Sequence, residues 1–312
     1  MSDLEIGFVL PLYESPPDAR IKQWDELRAM ALLAEEIGFD TVWVPDELLW
    51  RVSVWPGSRG WWECVAMAGA IAASTERIKV GTWVLSANQR NPGLTERVVE
   101  TLDEISGGRF IFGLGSGSGD REAEAFGLPR DHVVGRFEDA LEIIVPMLRE
   151  GRAEHDGPYH RAVDLESRPR GPRPGAIPLM IGAGGPRTIG LAARHADIWS
   201  WYVNERSEPA EFEPLVQALE AACAEIGRDP ATIGRSVGVF IEPTDVTGSE
   251  EYGLGVPVRG RPEEIAAAIE AFGDVGITQV ECMIWPDTLA ALEAMRPVVE
   301  RLREGRGDQG AG

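Results

Sequence analysis

The sequence predicts a single (β/α)8 barrel of the α/β class, and three observations lead to this prediction. Segments with the pattern of a buried strand alternate with segments of helical periodicity along the chain of 312 residues. Eight such pairs are present, whereas a doubly wound sheet normally has fewer strands and a dinucleotide fingerprint near its start. The glycine-rich and tryptophan-rich segments follow the strands, where a barrel carries its functional residues.

The eight predicted strands are short apolar runs bounded by glycine, proline or polar residues. In chain order they span residues 4–10, 39–45, 78–85, 110–112, 177–181, 197–202, 234–241 and 277–283. The predicted helices carry apolar residues three and four positions apart, and Gly38, Gly107 and Gly227 are typical helix ends. These helices span residues 24–37, 61–73, 94–105, 134–149, 188–195, 209–226, 262–272 and 288–302.

Residues 151–176 do not fit this alternation. The segment is polar, rich in proline and arginine, and without clear periodicity. We interpret it as an irregular insertion between the fourth and fifth strands, and not as a domain boundary. The prediction is therefore one barrel domain over residues 1–305, followed by a disordered tail over residues 306–312.

Composition and charge argue against several classes of protein. A net charge of −21 disfavours partners such as nucleic acid and anionic membrane surfaces. The chain has neither a long apolar run nor the pattern of a signal peptide, so no membrane association is expected. Cys64, Cys223 and Cys282 are far apart, which favours buried free thiols in a reducing compartment and predicts a cytoplasmic protein. The histidines lack zinc-site spacing, so no metal is expected.

Residues 177–188 predict an anion-binding turn. An apolar strand runs into three glycines, and Pro186 and Arg187 then begin a helix. Glycines allow the backbone to approach a ligand, the helix N-terminus directs N–H groups at an anion, and a guanidinium adds positive charge. The turn is therefore a candidate phosphate site, and the alternative is a βα turn with no ligand.

Three other loops carry candidate functional residues. Asp46 and Glu47 follow the second strand, where they are either an acid–base pair or acids at a helix N-terminus. Small polar residues over 81–88 suit hydrogen bonds to a flat ring, although they also suit a plain strand end. Alternating glycines over 113–119 leave room for a ring or a ribityl chain against bare backbone.

Two sets of large side chains have open interpretations. Tryptophans near the predicted loops either line an apolar substrate pocket or belong to the core, and these are Trp50, Trp55, Trp61, Trp62, Trp201 and Trp285. Arg168, Arg170 and Arg173 precede the glycine turn, where they either contact a long anionic cofactor tail or are solvated charges.

Four segments together resemble the bacterial luciferase-like superfamily, the barrel enzymes that use FMN or the deazaflavin coenzyme F420. They are residues 38–46, residues 78–82 with Asn91 and Pro92, residues 101–117, and residues 181–186. Residues 261–265 also fit the family, and the segments occur in the family's order along nearly the whole chain.

The resemblance implies a cofactor at the barrel mouth and a non-proline cis peptide between Trp83 and Val84. The cofactor-binding residues that it implies are Asp46, Trp83, Val84, Ser86, Ser116, Gly117, Gly182, Ala183, Gly184, Gly185, Pro186 and Arg187. The catalytic candidates are Glu47, Asp46 and Trp50, with Glu47 replacing a histidine that many members have at this position.

A second departure from the family concerns the sugar-phosphate dehydrogenases of the deazaflavin branch. Those enzymes have a catalytic glutamate where this chain has Ser118, and Glu122 is the nearest substitute. A sugar-phosphate reaction is therefore not expected.

The resulting prediction is an oxidoreductase that transfers hydride between coenzyme F420 and a small, partly apolar organic substrate. The alternative is an FMN-dependent luciferase-like monooxygenase, and a third reading is a non-catalytic flavin-binding protein. The resemblance also implies a homodimer.

Overall fold

Eight parallel strands close into a barrel in the computed structural model, which describes residues 4–15, 19–51, 57–117, 121–202, 205–243 and 255–307. This confirms the predicted fold. Each strand pairs with the next one along the chain, and the last pairs with the first, so the barrel is closed. The strands are β1 (Glu5–Val9), β2 (Thr41–Val44), β3 (Lys79–Thr82), β4 (Phe110–Gly115), β5 (Leu179–Gly182), β6 (Ile198–Tyr202), β7 (Gly234–Pro243) and β8 (Gln279–Ile284).

A long helix follows each barrel strand and packs its apolar face on the outside of the barrel. The helices are α1 (Trp24–Ile37), α2 (Cys64–Ser74), α3 (Pro92–Ser106), α4 (Val133–Glu150), α5 (Pro186–His195), α6 (Glu213–Glu225), α7 (Pro262–Asp274) and α8 (Arg296–Gly307). Gly38 and Gly107 end α1 and α3 with positive φ angles of 101° and 64°, as the sequence predicts.

Two predicted elements are divided in the structure. The predicted strand over 78–85 is interrupted after Thr82 by a cis peptide bond between Trp83 and Val84, which confirms the one implied by the resemblance, and it resumes at Leu85–Ser86. The predicted helix over 288–302 is divided into a short helix, Leu289–Glu293, and α8. The short helix Arg121–Ala125 was not predicted.

The segment predicted as an irregular insertion contains an antiparallel hairpin, so that part of the prediction is wrong. Its strands are Arg152–Asp156 and Arg161–Glu166. Ala153, Ala162 and Leu165 pack on α4 in a small cluster of their own. Since only one face of the hairpin is covered and polar residues dominate the other, its apolar pattern is too weak to be recognised in the sequence.

Two of the three arginines after this hairpin bind α3, so neither alternative that the sequence left open, a contact with a cofactor tail or a solvated charge, holds for them. Arg170 Nε lies 3.0 Å from the buried Glu100 carboxylate, and Arg173 Nη2 lies 2.5 Å from that of Asp103. Arg173 also donates to the carbonyl of Phe110, at the start of β4 and thus at the end of the barrel opposite the strand C-termini.

Arg168, the third arginine of that set, pairs with Glu166 of the hairpin at 2.9 Å. Its side chain is largely exposed. Arg168 is therefore a solvated charge, the alternative that the sequence left open.

The indole of Trp43 fills the middle of the barrel. Trp43 is fully buried, and its ring lies between the bare backbones of Gly7 and Gly81. A Cβ atom on Gly7 would lie 2.3 Å from the indole nitrogen, and one on Gly81 would lie 2.2 Å from the ring. Both glycines are therefore required by the width of the indole.

A carboxyl group lies beside this indole. Glu281 on β8 is fully buried, and Ser236 Oγ donates to its Oε1 at 2.8 Å. Its other oxygen and Trp43 Nε1 are both buried without a hydrogen-bond partner among the described residues. Burial raises the pKa of Glu281 to about 8, even though the hydrogen bond from Ser236 acts in the opposite direction. Glu281 is therefore largely protonated at neutral pH.

Two further expectations concern membrane spans and cysteines. No helix in the described part of the chain is both long and apolar enough to cross a bilayer. Cys64, Cys223 and Cys282 are free and buried, as predicted.

We expect Glu281 to make stability depend on pH. A carboxyl whose pKa is raised by folding stabilises the fold fully below its ordinary pKa, and this contribution is lost as pH rises toward 8. The Glu281→Gln side chain is neutral at every pH, so the free energy of unfolding of this variant will change less between pH 5 and pH 8 than that of the wild type. The two changes should differ by roughly a few kcal/mol. Urea unfolding at pH 5, 6.5 and 8 measures this difference. Glu104→Gln on the exposed face of α3 is the control, and equal slopes for wild type and Glu281→Gln would contradict the prediction.

We expect Gly81→Ala to destabilise the barrel because its methyl group would collide with Trp43. The expected loss is about 1–3 kcal/mol, typical of an overpacked core. Gly190→Ala in α5 is the matched control, since a Cβ there meets nothing within 4 Å, and it should be neutral or stabilising. Thermal unfolding of both variants is the measurement. A Gly81→Ala protein as stable as the wild type would show that the barrel interior is not tightly packed around Trp43.

Candidate active site

The C-terminal ends of β1 to β8, here called the mouth, bring most of the predicted site residues together. Glu47 follows β2, Trp83 and Ser86 follow β3, and Gly117 follows β4. The glycine turn connects β5 to α5 at the same end. Ser118 and Trp55 lie outside the described residues.

The Asp46 side chain is held by contacts within the protein, and its roles in catalysis and cofactor binding stay predictions. Its side chain is fully buried, and the two oxygens bind the Arg90 guanidinium at 2.5 and 2.8 Å. One of them also accepts the backbone N–H of Ser86 at 2.8 Å. No carboxylate oxygen is exposed to a substrate, and the contacts instead fix the loop after β3 to the end of β2.

Glu122, the nearest substitute for the glutamate that Ser118 replaces, anchors a loop. Its side chain is buried, and Oε1 accepts the backbone N–H groups of Leu48 and Leu49 at 2.5 and 2.8 Å. Gln89 Nε2 donates to the other oxygen at 3.3 Å. These contacts hold the segment between Glu47 and Trp50 in place.

Glu47 lies near Tyr202, the last residue of β6. Desolvation of the hydroxyl raises the pKa of Tyr202, although its ring is 48% exposed, and the charge of Glu47 raises it further. Tyr202 is therefore a neutral O–H donor at the mouth with a carboxylate nearby. The sequence analysis did not single out Tyr202, although its position at the C-terminal end of a barrel strand was a usable signal.

Trp83 forms part of the floor of the mouth. Its indole nitrogen donates to Ser200 Oγ at 3.1 Å, and its ring is edge-on to Tyr202 at 6.5 Å. A Cβ atom on Gly238 would lie 2.4 Å from this ring, so β7 is bare where the indole crosses it. The floor thus extends from β3 to β7.

Val84 occupies space that the sequence analysis left for a ligand. Cβ atoms on Gly113, Gly115 and Gly182 would lie 3.1, 2.8 and 3.0 Å from the methyl groups of Val84. Gly115 and Gly182 make room for this half-buried valine, whereas a Cβ on Gly113 would first meet the carbonyl oxygen of Thr82, at 1.9 Å. The prediction that Gly113 and Gly115 leave open space is therefore revised.

Two buried polar atoms near Ser86 have no hydrogen-bond partner within the described structure. Ser86 Oγ and Asn88 Oδ1 are buried, and neither has a hydrogen-bond partner among the described residues. Gly117 has a φ of 73°, and a Cβ there would lie 2.0 Å from Ser86 Oγ. Ser116 Oγ donates to the Gly117 carbonyl at 3.1 Å. Ligand binding by Ser86, Ser116 and Gly117 stays a prediction.

The glycine turn after β5 is only partly open. Ala183 is buried and donates its N–H to the Ser200 carbonyl at 3.0 Å. A Cβ on Gly184 would lie 2.3 Å from the Trp201 ring, and the Gly185 N–H donates to Thr188 Oγ1 at 3.2 Å. The turn glycines are thus engaged within the protein.

The N-terminus of α5 is the remaining candidate for an anion. In the first turn of a helix the N–H groups lack intrahelical partners, and here Pro186 opens the helix. The Arg187 guanidinium binds Glu138 beside this turn. The N–H groups of Arg187 and Thr188 are thus added to the candidate phosphate site, and phosphate binding by the glycines stays a prediction.

Tyr13, Trp50 and Trp61 form an aromatic wall at the mouth. Their ring centroids are 6.5 Å apart for Tyr13 and Trp50, 5.0 Å for Tyr13 and Trp61, and 5.6 Å for Trp50 and Trp61. Leu49–Trp50 pairs with Arg59–Gly60, which fixes Trp50 over the loop.

The remaining tryptophans have other positions. Trp62 Nε1 donates to the carbonyl of Lys22, and Trp285 is buried. Trp201 stacks on Tyr202 with ring centroids 5.2 Å apart. Trp201 and Trp285 thus lie at the ends of β6 and β8, and Trp285 is part of the buried core. Within the described ranges, no three histidine, cysteine or acidic side chains form a metal-binding group.

Comparison with known proteins identifies relatives of this chain. The chain is 32% identical over 205 residues to 5,10-methylenetetrahydromethanopterin reductase of Archaeoglobus fulgidus, covering 65% of this chain and 56% of that protein. It is 36% identical over 181 residues to the F420-dependent glucose-6-phosphate dehydrogenase of Beutenbergia cavernae, covering 55% and 51%. The alignments thus span about half the length of these curated relatives.

A solved structure and a family model cover more of the chain. The coenzyme F420 dependent tetrahydromethanopterin reductase from Methanopyrus kandleri aligns over 97% of this chain and 99% of its own, with a TM-score of 0.74 and 22% identity. The model of the luciferase-like monooxygenase family matches residues 4–252. Since this match includes most of the barrel, the chain is an enzyme that belongs to the luciferase-like monooxygenase family.

Proposed function

We propose that this enzyme transfers hydride between the deazaflavin coenzyme F420 and a small organic substrate. The observation that carries the proposal is the position of Tyr202 at the mouth, edge-on to the Trp83 ring at 6.5 Å, because hydride transfer needs a flat binding floor and one proton donor. The relative from Beutenbergia cavernae, which is F420-dependent by name, supports the cofactor.

The residues at the mouth fit such a cofactor. Ser86 Oγ and Asn88 Oδ1 are polar atoms without a partner in the described structure, at a wall where Gly117 removes a side chain. The N-terminus of α5 and Arg187 offer donors to a phosphate. We assign the tricyclic ring to the floor of Trp83 and Val84. A bound deazaflavin would supply the hydride chemistry.

The protein's own contribution is a hydrogen bond to the reacting oxygen of the substrate. The Tyr202 hydroxyl is the donor, and its raised pKa keeps it protonated throughout the neutral range. Glu47 is the acid–base partner on the opposite loop. Trp50, on the aromatic wall, excludes water from the substrate.

An FMN-dependent monooxygenase is the second candidate function, because the family is described as luciferase-like monooxygenase. The relatives are enzymes, so the non-catalytic alternative is not favoured. The homodimer and the cytoplasmic location stay predictions.

Cofactor binding is the first test. Fluorescence titration should give micromolar or tighter binding of F420, at least ten times tighter than FMN, followed by hydride transfer from the reduced cofactor to a panel of small ketones. Gly117→Ala should weaken binding at least tenfold because its methyl group would meet Ser86.

Gly127→Ala is the matched control for this titration. It has a similar φ of 68° but open space around it, so it should bind as the wild type does. Tighter binding of FMN would favour the monooxygenase, and binding of neither cofactor would overturn both functions.

The coupling between Glu47 and Tyr202 is tested separately. Removal of the Glu47 charge takes away one cause of the raised tyrosine pKa, so Glu47→Gln should lower the pKa of Tyr202. Ultraviolet titration of tyrosinate measures this, and Tyr202→Phe identifies the signal among the four tyrosines. Glu208→Gln, whose partner is Arg206, is the control. An unchanged titration in Glu47→Gln would remove the proposed pair.

A further inference from the structure

We propose that Trp201 is a positioning residue, which fixes the orientation of the Tyr202 ring at the mouth. This inference rests on the proposed function, in which the Tyr202 hydroxyl donates a hydrogen bond to the substrate. It goes beyond that function because it assigns the orientation of the donor to a neighbouring side chain, and through it to the glycine turn after β5.

Tyr202 contacts two other aromatic rings among the described residues. Its ring centroid lies 5.2 Å from that of Trp201, with the ring planes 27° apart, and 6.5 Å from that of Trp83, with the planes 71° apart. The nearly parallel stack with Trp201 opposes rotation of the tyrosine ring, and the edge contact with Trp83 limits rotation from a second direction. Because Tyr202 is the last residue of β6 and half exposed, these contacts select its rotamer.

Trp201 is itself held against the glycine turn. A Cβ atom on Gly184 would lie 2.3 to 2.6 Å from three atoms of the six-membered ring of the indole. The bare backbone of the turn therefore lies directly against this ring, which cannot move toward the turn. A residue larger than glycine at position 184 would displace the indole, and with it the partner on which Tyr202 stacks.

Two hydrogen bonds fix the turn to β6 just before Trp201. Trp199 is fully buried, and its Nε1 donates to the carbonyl of Ala183 at 2.8 Å. The Ala183 N–H donates to the carbonyl of Ser200 at 3.0 Å. Because the turn cannot leave the strand without breaking these contacts, it gives the Trp201 indole a rigid support.

The main chain of Tyr202 and the ring of Trp83 are also fixed. Tyr202 pairs with Gly238 of β7, and a Cβ atom on this glycine would lie 2.4 Å from the Trp83 ring. Trp83 Nε1 donates to Ser200 Oγ at 3.1 Å. The freedom that remains to Tyr202 is therefore rotation of its own side chain, which the stack with Trp201 limits.

The stack has two consequences for the Tyr202 hydroxyl. It excludes water from one side of the ring, and desolvation raises the pKa of Tyr202, which the charge of Glu47 raises further. It also orients the hydroxyl before the substrate binds, so that a hydrogen bond to the reacting oxygen needs little reorganisation. Loss of the indole should therefore both hydrate the hydroxyl and release the ring from its orientation.

The first measurement is the ultraviolet titration of tyrosinate in the protein without cofactor. Trp201→Leu should lower the pKa of Tyr202 because water reaches the hydroxyl, whereas Trp201→Phe keeps a stacked ring and should titrate as the wild type does. Gly184→Ala should act like Trp201→Leu, since its methyl group displaces the indole without removing it. Tyr202→Phe identifies the signal among the four tyrosines.

The second measurement is a double-mutant cycle on the reduction of small ketones at saturating reduced F420. In the wild-type background, Trp201→Leu should lower kcat about tenfold, and Trp201→Phe should largely restore it. In the Tyr202→Phe background, Trp201→Leu should change kcat by less than about twofold, because the residue that it positions has no hydroxyl. Trp24→Leu, which removes a partly exposed indole from α1, is the matched control and should change neither kcat nor the titration.

Equal losses of kcat in the two backgrounds would overturn the inference, and so would a Tyr202 titration that neither Trp201→Leu nor Gly184→Ala changes. Trp201 would then be a packing residue only. If the protein does not bind F420 but both variants lower the pKa of Tyr202, the proposed function fails and the positioning of Tyr202 by Trp201 stands. Hydride transfer from F420 that Trp201→Leu does not slow gives the opposite result.

Discussion

The packing of the Trp43 indole inside the barrel is the contact on which the rest of the structure depends. The ring needs bare backbone at Gly7 and Gly81, and it covers the buried carboxyl of Glu281. On the mouth side of Trp43, β3 is interrupted at Trp83. The indole of Trp83 extends across to β6 and β7. The floor of the mouth is therefore a stack of tryptophans on glycines. Any residue larger than glycine at these positions would have to displace a ring that the barrel cannot accommodate elsewhere.

Polar side chains at the mouth divide into those that hold loops and those that face the opening. Asp46 and Glu122 accept backbone N–H groups of neighbouring loops, and Asp46 also neutralises Arg90. Such contacts compensate the loss of hydration and fix loop geometry. Tyr202, by contrast, lies at the C-terminal end of a barrel strand with its ring next to that of Trp83.

Ion pairs with carboxylates also neutralise basic side chains on the loops of the mouth. Although acids exceed bases to give a net charge of −21, Lys22, Arg90 and Arg259 on these loops are each bound to a carboxylate.

The sequence by itself determined the barrel, the end at which the site lies and the segments that form it. These features depend on local properties of the chain, namely strand and helix periodicity, glycine caps and the order of strands and loops. Local properties can be recognised in a sequence without knowledge of tertiary contacts. Only the tertiary structure decided which of the candidate site residues are bound by other side chains or backbone groups of the protein. Asp46 meets Arg90 44 positions away, Glu122 reaches Leu48 across 74, and Arg170 reaches Glu100 across 70. No pattern in the sequence marks which carboxylate will accept which distant donor, because that depends on how the loops converge after the barrel has closed.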